Sequence, residues 1–281
     1  MITGSNSGIG KETAVGLAGM GAKVVMVCRD GPKGEAARQD IIARSKAKPE
    51  DVSLMIADLA SLGAVRRLAT DFLSKSQSLH VLINNAGLIL GSRTVTEDGF
   101  ETTFVVNYLS HFLLTNLLLD RIIASAPARI LNVSSDAHTG GHIDFQDLQG
   151  ERHYGALKAY SQSKLAQILF THELARRLQD KGVTVNSIHP GAVATNWGRH
   201  SVGAFSVGVR LAGPFMASPS KGAETSIYVA SSPDVAGVTG KYFAKKREVK
   251  SSRESYDDEE AKHLWEVSLA MTGLRDGPGV H

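Results

Sequence analysis

The stretch Thr3-Gly4-Ser5-Asn6-Ser7-Gly8-Ile9-Gly10 runs straight into Lys11-Glu12-Thr13-Ala14-Val15-Gly16-Leu17-Ala18, whose Ala14, Leu17 and Ala18 share one helical face. Glycines at such a junction let backbone approach a phosphate, and the free N–H groups at the helix start attract its charge. Gly21 is placed to terminate that helix. The next run, Val24-Val25-Met26-Val27, reads as a buried strand ending in Cys28-Arg29-Asp30, about twenty residues past the glycines.

Outward from this unit the alternation repeats. Leu54 to Ala57, Val81 to Ile83, Ile130 to Val133 and Val183 to Ile188 are further short strands, the last ended by Pro190. Their apolar character is continuous, which suits a sheet covered on both faces. Helices lie between them, one with Leu62, Val65, Leu68, Ala69 and Phe72 at three- and four-residue spacing. This pattern predicts an α/β fold of Rossmann type, a doubly wound parallel sheet with helices on both faces, in a single domain over residues 1–281. Only Met1 and Ile2 precede the glycine motif, although the first strand of such a sheet is central. The missing part amounts to several buried apolar residues at roughly 1.5–3 kcal/mol each, against a domain stability of roughly 5–15 kcal/mol. The first central strand is therefore expected to be largely missing from this chain, and the natural product to start upstream of Met1.

The chain has 281 residues, 42% hydrophobic and 21% charged, with a net charge of +3, which excludes global disorder. Lysines and arginines are nearly balanced by acids, and no basic stripe argues for nucleic acid. One cysteine, Cys28, excludes an internal disulfide framework and suits a reducing, cytoplasmic setting. The most apolar stretch, Phe104 to Leu119, carries Asn107, Ser110, His111, Thr115 and Asn116, so no membrane span is expected, while peripheral contact stays open. His138 and His142 flank Thr139-Gly140-Gly141 without a further ligand set, and no metal site is expected. Lys245-Lys246-Arg247 reads as solvated surface, and Tyr256-Asp257-Asp258-Glu259-Glu260 as the acidic start of a C-terminal helix.

Two groups of residues carry chemistry. At the end of the second strand an acidic residue would accept a ribose 2′-OH, whereas Arg would bind a 2′-phosphate. Arg29 beside Asp30 leaves that choice open. Tyr160 and Lys164, four apart in Tyr160-Ser161-Gln162-Ser163-Lys164, share one helical face. An ammonium there favours phenolate and is expected to lower the tyrosine toward a useful value for proton transfer. The same spacing also serves a plain surface pair.

Taken together and in this order, these motifs resemble the short-chain dehydrogenase/reductase family. Asn84-Asn85-Ala86-Gly87, Asn107 in a long helix, Asn132-Val133-Ser134-Ser135 and Pro190-Gly191-Ala192-Val193-Ala194-Thr195 extend the likeness from Thr3 to Thr195. The resemblance implies Tyr160 as catalytic acid/base, Lys164 as its partner and ribose ligand, Ser135 as the group on the substrate oxygen, and Asn107 as anchor of a water chain to Lys164. Ser134 should face the other side of an extended strand. The implied cofactor-binding set is Gly4, Ser7, Gly8, Ile9, Gly10, Arg29, Asp58, Leu59, Asn85, Ala86, Gly87, Tyr160, Lys164, Pro190, Gly191, Val193 and Thr195. Cys28 stands where NAD-selective members carry Asp, so the resemblance turns Arg29 toward NADP(H), preferred over NAD(H).

Within the family the chain resembles the retinol dehydrogenase and retinal reductase group, through Gly8-Ile9-Gly10-Lys11-Glu12-Thr13-Ala14, Cys28-Arg29-Asp30, Asp147-Leu148-Gln149 and Ser163-Lys164-Leu165-Ala166. Gly222 to Tyr228, Gly240 to Phe243 and Leu264 to Ser268 extend it, as does the insert between Ser135 and Tyr160. A substrate lid is expected around 196–220, apolar through Trp197, Val202, Phe205, Val207, Val209, Leu211, Phe215 and Met216, and deformable at Gly203, Gly208 and Gly213. It implies a small lipophilic carbonyl or alcohol as substrate. The apolar faces at Phe104, Leu109, Phe112 and Leu113, and at Leu165, Ile168 and Leu169, fit either core or a homodimer interface. The expected function is an NADP(H)-dependent oxidoreductase acting on lipophilic aldehydes, ketones or alcohols. The alternatives are an NADP(H)-binding regulatory or scaffold protein without turnover, and a general carbonyl reductase of secondary metabolism.

Overall fold

Apolar β-branched runs flanked by helical segments build one continuous sheet. The computed structural model describes residues 1–75, 78–191 and 217–275. Its strands are β1 (Ile2–Thr3), β2 (Val24–Cys28), β3 (Val52–Ile56), β4 (Val81–Asn84), β5 (Ala128–Val133), β6 (Val183–His189), β7 (Lys241–Ala244) and β8 (Arg247–Val249). They are ordered β3-β2-β1-β4-β5-β6-β7-β8. β1 is central though short: Ile2 pairs with Met26 on one side and Ile83 on the other.

The expectation of a parallel sheet holds through seven strands and fails at the eighth. β8 returns antiparallel to β7 through Lys245 and Lys246, both at positive φ (50° and 61°). Positive φ at both central residues matches the right-handed twist of a two-residue hairpin. Lys245-Lys246-Arg247 is thus a turn leading into an edge strand, beyond the solvated surface expected of it.

The helices are α1 (Gly8–Gly19), α2 (Gly31–Ser45), α3 (Leu62–Lys75), α4 (Thr102–Ala124), α5 (Ala156–Arg177), α6 (Pro219–Ser231) and α7 (Asp258–Thr272). One core gathers α1 residues Ala14, Leu17 and Ala18 with Ile41, Met26 and Val229. The other holds the α3 stripe with Phe104, Leu109, Phe112, Leu169 and Trp265. Covering both faces accounts for the apolar runs of β2, β4 and β5, while the edge strand β3 leaves Ile56 52% exposed. The faces left open between core and interface are core: Phe104, Leu109, Phe112, Leu113, Leu165, Ile168 and Leu169 are all buried within this one chain. α4 is long and apolar enough to cross a membrane by length and composition, and most of it is buried in the domain. Gly21 follows α1 at φ 86°, and Asp257 caps α7 by accepting from Glu259 N and Glu260 N.

Candidate active site

The loop from β1 to α1 is shaped by its glycines. Gly4 sits at φ 66°, and a Cβ on it would lie 2.9 Å from Ala86 Cα. One on Gly10 would meet Asn85 Nδ2 at 2.4 Å and Gly4 O at 2.5 Å, so a side chain there forces the two loops apart. Ser7, the N-cap of α1, makes no side-chain cap, and no acid occupies the first turn. The first-turn N–H groups, which lack intrahelical partners, therefore face outward as an anion cradle beside Ser7, Gly8, Ile9 and Gly10. This is the feature that fits a dinucleotide phosphate. Thr3 Oγ1 accepts from Asn85 N and Ala86 N, each at 2.9 Å, and Asn85 Nδ2 donates to Thr3 O at 2.7 Å. The Asn85 amide nitrogen thus joins the two loops.

At the end of β2, Cys28 is buried with its Sγ 3.8 Å from Ser5 Oγ, and Arg29 is exposed. Asp30 caps α2, accepting from Lys33 N at 2.9 Å. After β3, Asp58 Oδ1 accepts from Ala60 N, and the Leu59 side chain belongs to the core. Only the Leu59 backbone can border a ligand, which narrows the role expected of it.

Tyr160, Lys164, Ser135 and Asn107 come together where β4 and β5 end. Tyr160 is 1% exposed and hydrogen-bonded to Ser135. Ser134 points the other way, donating to Lys164 O at 2.8 Å, as strand alternation predicts. Lys164 Nζ lies 5.5 Å from the centre of the Tyr160 ring and donates to Val133 O at 2.8 Å and Gln167 Oε1 at 2.9 Å. The ammonium therefore stands over the ring face. The expected lowering of Tyr160 is not what this arrangement gives: burial pushes its phenol well above the ordinary value, against a smaller downward pull from Ser135. Burial draws Lys164 down to about 7. Gly87 fits between the groups, where a Cβ would lie 3.4 Å from Asn107 Oδ1 and 3.5 Å from Lys164 Nζ.

Asn107 sits in a π-helical segment, Val105–Leu109, inside α4. Its Oδ1 accepts from Leu88 N at 2.8 Å, and its Nδ2 donates to Leu88 O and Ser163 Oγ, each at 2.9 Å. Its carbonyl oxygen is 3.1 Å from His111 Nδ1, and His111 Nε2 is 3.0 Å from Thr3 Oγ1. A carbonyl only accepts, so Nδ1 carries the proton and Nε2 accepts from the Thr3 hydroxyl. Burial pulls His111 down to about 3, keeping it neutral. Asn107 is accordingly a clamp between the β4 loop, α4 and α5.

The Ser135 loop is braced by groups whose role the sequence did not reveal. Asp136 N donates to His189 Nδ1 at 3.2 Å, while His189 Nε2 meets Asp136 Oδ2 at 2.9 Å. Tyr242 on β7 donates to Asp136 Oδ1 at 3.3 Å. His138 donates from Nδ1 to Ser135 O and accepts from Ser252 N, so its ring holds the serine loop. Pro190 and Gly191 follow β6, with Gly191 at φ 88°. Val193, Thr195 and the apolar residues of the expected lid, Trp197 to Met216, lie outside the described residues. A groove of about 760 Å³ opens at the opposite end of the sheet, lined by Arg129, His172, Arg176 and Thr184 among others. It contains none of the residues above, and α/β sheets take ligands at the carboxyl ends of their strands.

Comparison with known proteins agrees with this fold. The family model for short chain dehydrogenases matches residues 1–203. Human retinol dehydrogenase 13 is 45% identical over all of this chain and 86% of its own length. Mouse retinol dehydrogenase 14 is 46% identical over 98% of this chain and 85% of its own. Among solved structures, an uncharacterized protein from Mycobacterium paratuberculosis superposes with a TM-score of 0.78 at 35% identity, covering 98% of this chain and 93% of that one. Pseudomonas aeruginosa RhlG, in an active-site complex with NADP, superposes at 0.69 with 27% identity, covering 90% and 94%.

Proposed function

Because the chain belongs to the short-chain dehydrogenase family, we propose that it is an NADP(H)-dependent oxidoreductase interconverting a lipophilic alcohol and its aldehyde or ketone. The observation that carries this reading is the cluster of half-buried Ser135 with buried Tyr160 and Lys164, opening beside the glycine cradle at the carboxyl edge of the sheet. The cradle of Gly4, Ser7, Gly8, Ile9 and Gly10 would hold the dinucleotide phosphates, with Asn85 to Gly87 and Lys164 toward its riboses. When bound, such a cofactor supplies or accepts hydride. Arg29 supports the NADP(H) preference, because Asp30 is committed to capping α2 and leaves the guanidinium as the exposed charge at the end of β2.

The chain's own groups handle the oxygen and its proton. Ser135 and Tyr160 donate hydrogen bonds to the substrate oxygen as charge builds on it, acting as donors already in place. Tyr160 then transfers its proton to that oxygen, or removes it in the oxidative direction. Burial alone keeps the phenol protonated, so the Lys164 charge is what makes a transient phenolate tolerable. The retinol dehydrogenases similar to this chain support a substrate with an apolar body.

The test is consumption of NADPH and NADH by the purified chain with retinal, long-chain aldehydes and aromatic ketones. Tyr160→Phe should reduce kcat by at least about a thousandfold while NADPH binding stays within a few-fold. Retained turnover in that variant would overturn the assignment.

A further inference from the structure

Lys164 is 3% exposed and has two described hydrogen-bond acceptors. Val133 O is backbone, which any residue at that position would supply. Gln167 Oε1, at 2.9 Å, is the side-chain acceptor, one turn further along α5 and itself 1% exposed. The amide is turned toward the lysine at a cost, since Gln167 Nε2 is buried with no partner among the described residues. Its orientation is set by the ammonium, because the reverse flip would aim two donors at a cation.

The other surroundings of Lys164 give its charge little help. Tyr160 on α5 and His111 on α4 are the titratable groups facing it, the first a buried phenol and the second a ring held neutral by burial and, in smaller part, by the lysine's own charge. Asn107, across Gly87, has its amide engaged with Leu88 and Ser163. β5 contributes only the Val133 carbonyl. No carboxylate accepts from Lys164 among the described residues.

We propose that Gln167 is a positioning residue that holds the Lys164 amine against Val133 and keeps it protonated, and so sets the upper pH limit of proton transfer by Tyr160. This rests on the roles given above to Tyr160 and Lys164. Burial already brings Lys164 close to neutrality, so one acceptor more or less acts within the working pH range.

The experiment compares the whole chain with Gln167→Met and Gln167→Glu, both near-isosteric, and records kcat for carbonyl reduction against pH. The high-pH limb should move down in Gln167→Met and up in Gln167→Glu, each by about one pH unit, a tenfold change in charged fraction. A residue that only packs α5 would lower kcat evenly in both variants without moving the limb. Unmoved limbs, or shifts of the same sign, overturn the proposal. If one variant fails to fold, Gln167→Asn takes its place, with a downward shift smaller than that of the Met variant expected and an unmoved limb counting against the proposal. NADPH affinity against pH, read in a Tyr160→Phe background, follows the Lys164 proton without turnover. If Tyr160→Phe still turns over, the acid/base assignment fails, while this titration still decides the role of Gln167.

Discussion

The carboxylate of Asp30 accepts from Lys33 N and pairs with Lys33 Nζ at 3.2 Å, so its hydrogen-bonding capacity is turned toward α2. Arg29 keeps its guanidinium exposed one residue earlier. Arg29→Ala should therefore raise the Kd for NADPH by roughly tenfold and leave that for NADH within about twofold, as read by titration with each cofactor. Equal losses for both would make Arg29 a general contact instead of a selector. His111 offers a second residue-scale test. Its folded value near 3 lies below the ordinary 6.5, so between those pH values the unfolded chain holds the extra proton and stability falls on acidification. From pH 7 to pH 5 this residue should cost about 2 kcal/mol. Denaturant midpoints should fall less over that range in His111→Gln.

At the scale of elements, the β7–β8 hairpin carries a removable strain. Lys245 and Lys246 both occupy the left-handed region, at roughly 1 kcal/mol or more each. The double change Lys245→Asn, Lys246→Gly supplies the residues this turn prefers. It should stabilise the protein by about 1 kcal/mol, less a little for the exposed Lys246–Glu224 pair. An unchanged or lower melting temperature would refute the strain argument. The same hairpin shows why the sequence concealed it: two lysines carry none of the Asn-Gly signal by which such turns are recognised. The strands β2, β4 and β5 were legible because burial on both faces leaves largely apolar runs. The edge strand β3, with Ser53 and Ile56 exposed, and β6, interrupted by Thr184, Asn186 and Ser187, were legible from their β-branched and apolar residues alone. The π-helical turn around Asn107 was not, since Val105 to Leu109 read as an ordinary apolar helix segment and the extra residue per turn has no compositional mark.

Across the molecule, the site residues were legible where identity and spacing suffice, as for Gly4 to Gly10, Ser135, Tyr160 and Lys164. Their partners were not. Gln167 beside Lys164, His111 bridging Thr3 to Asn107, and His189 beneath Asp136 are tertiary or rotamer facts that one-dimensional spacing does not encode. The centre of the sheet is β1, lying between β2 and β4. Ile2 of β1 pairs with Ile83 of β4, far along the chain. On a ribosome adding roughly 5–20 residues per second, β1 can join β2 early but waits several seconds for β4. During that wait the future centre of the sheet is an open edge, and the nascent chain, far more than the finished protein, is the form prone to pair its backbone with a stranger.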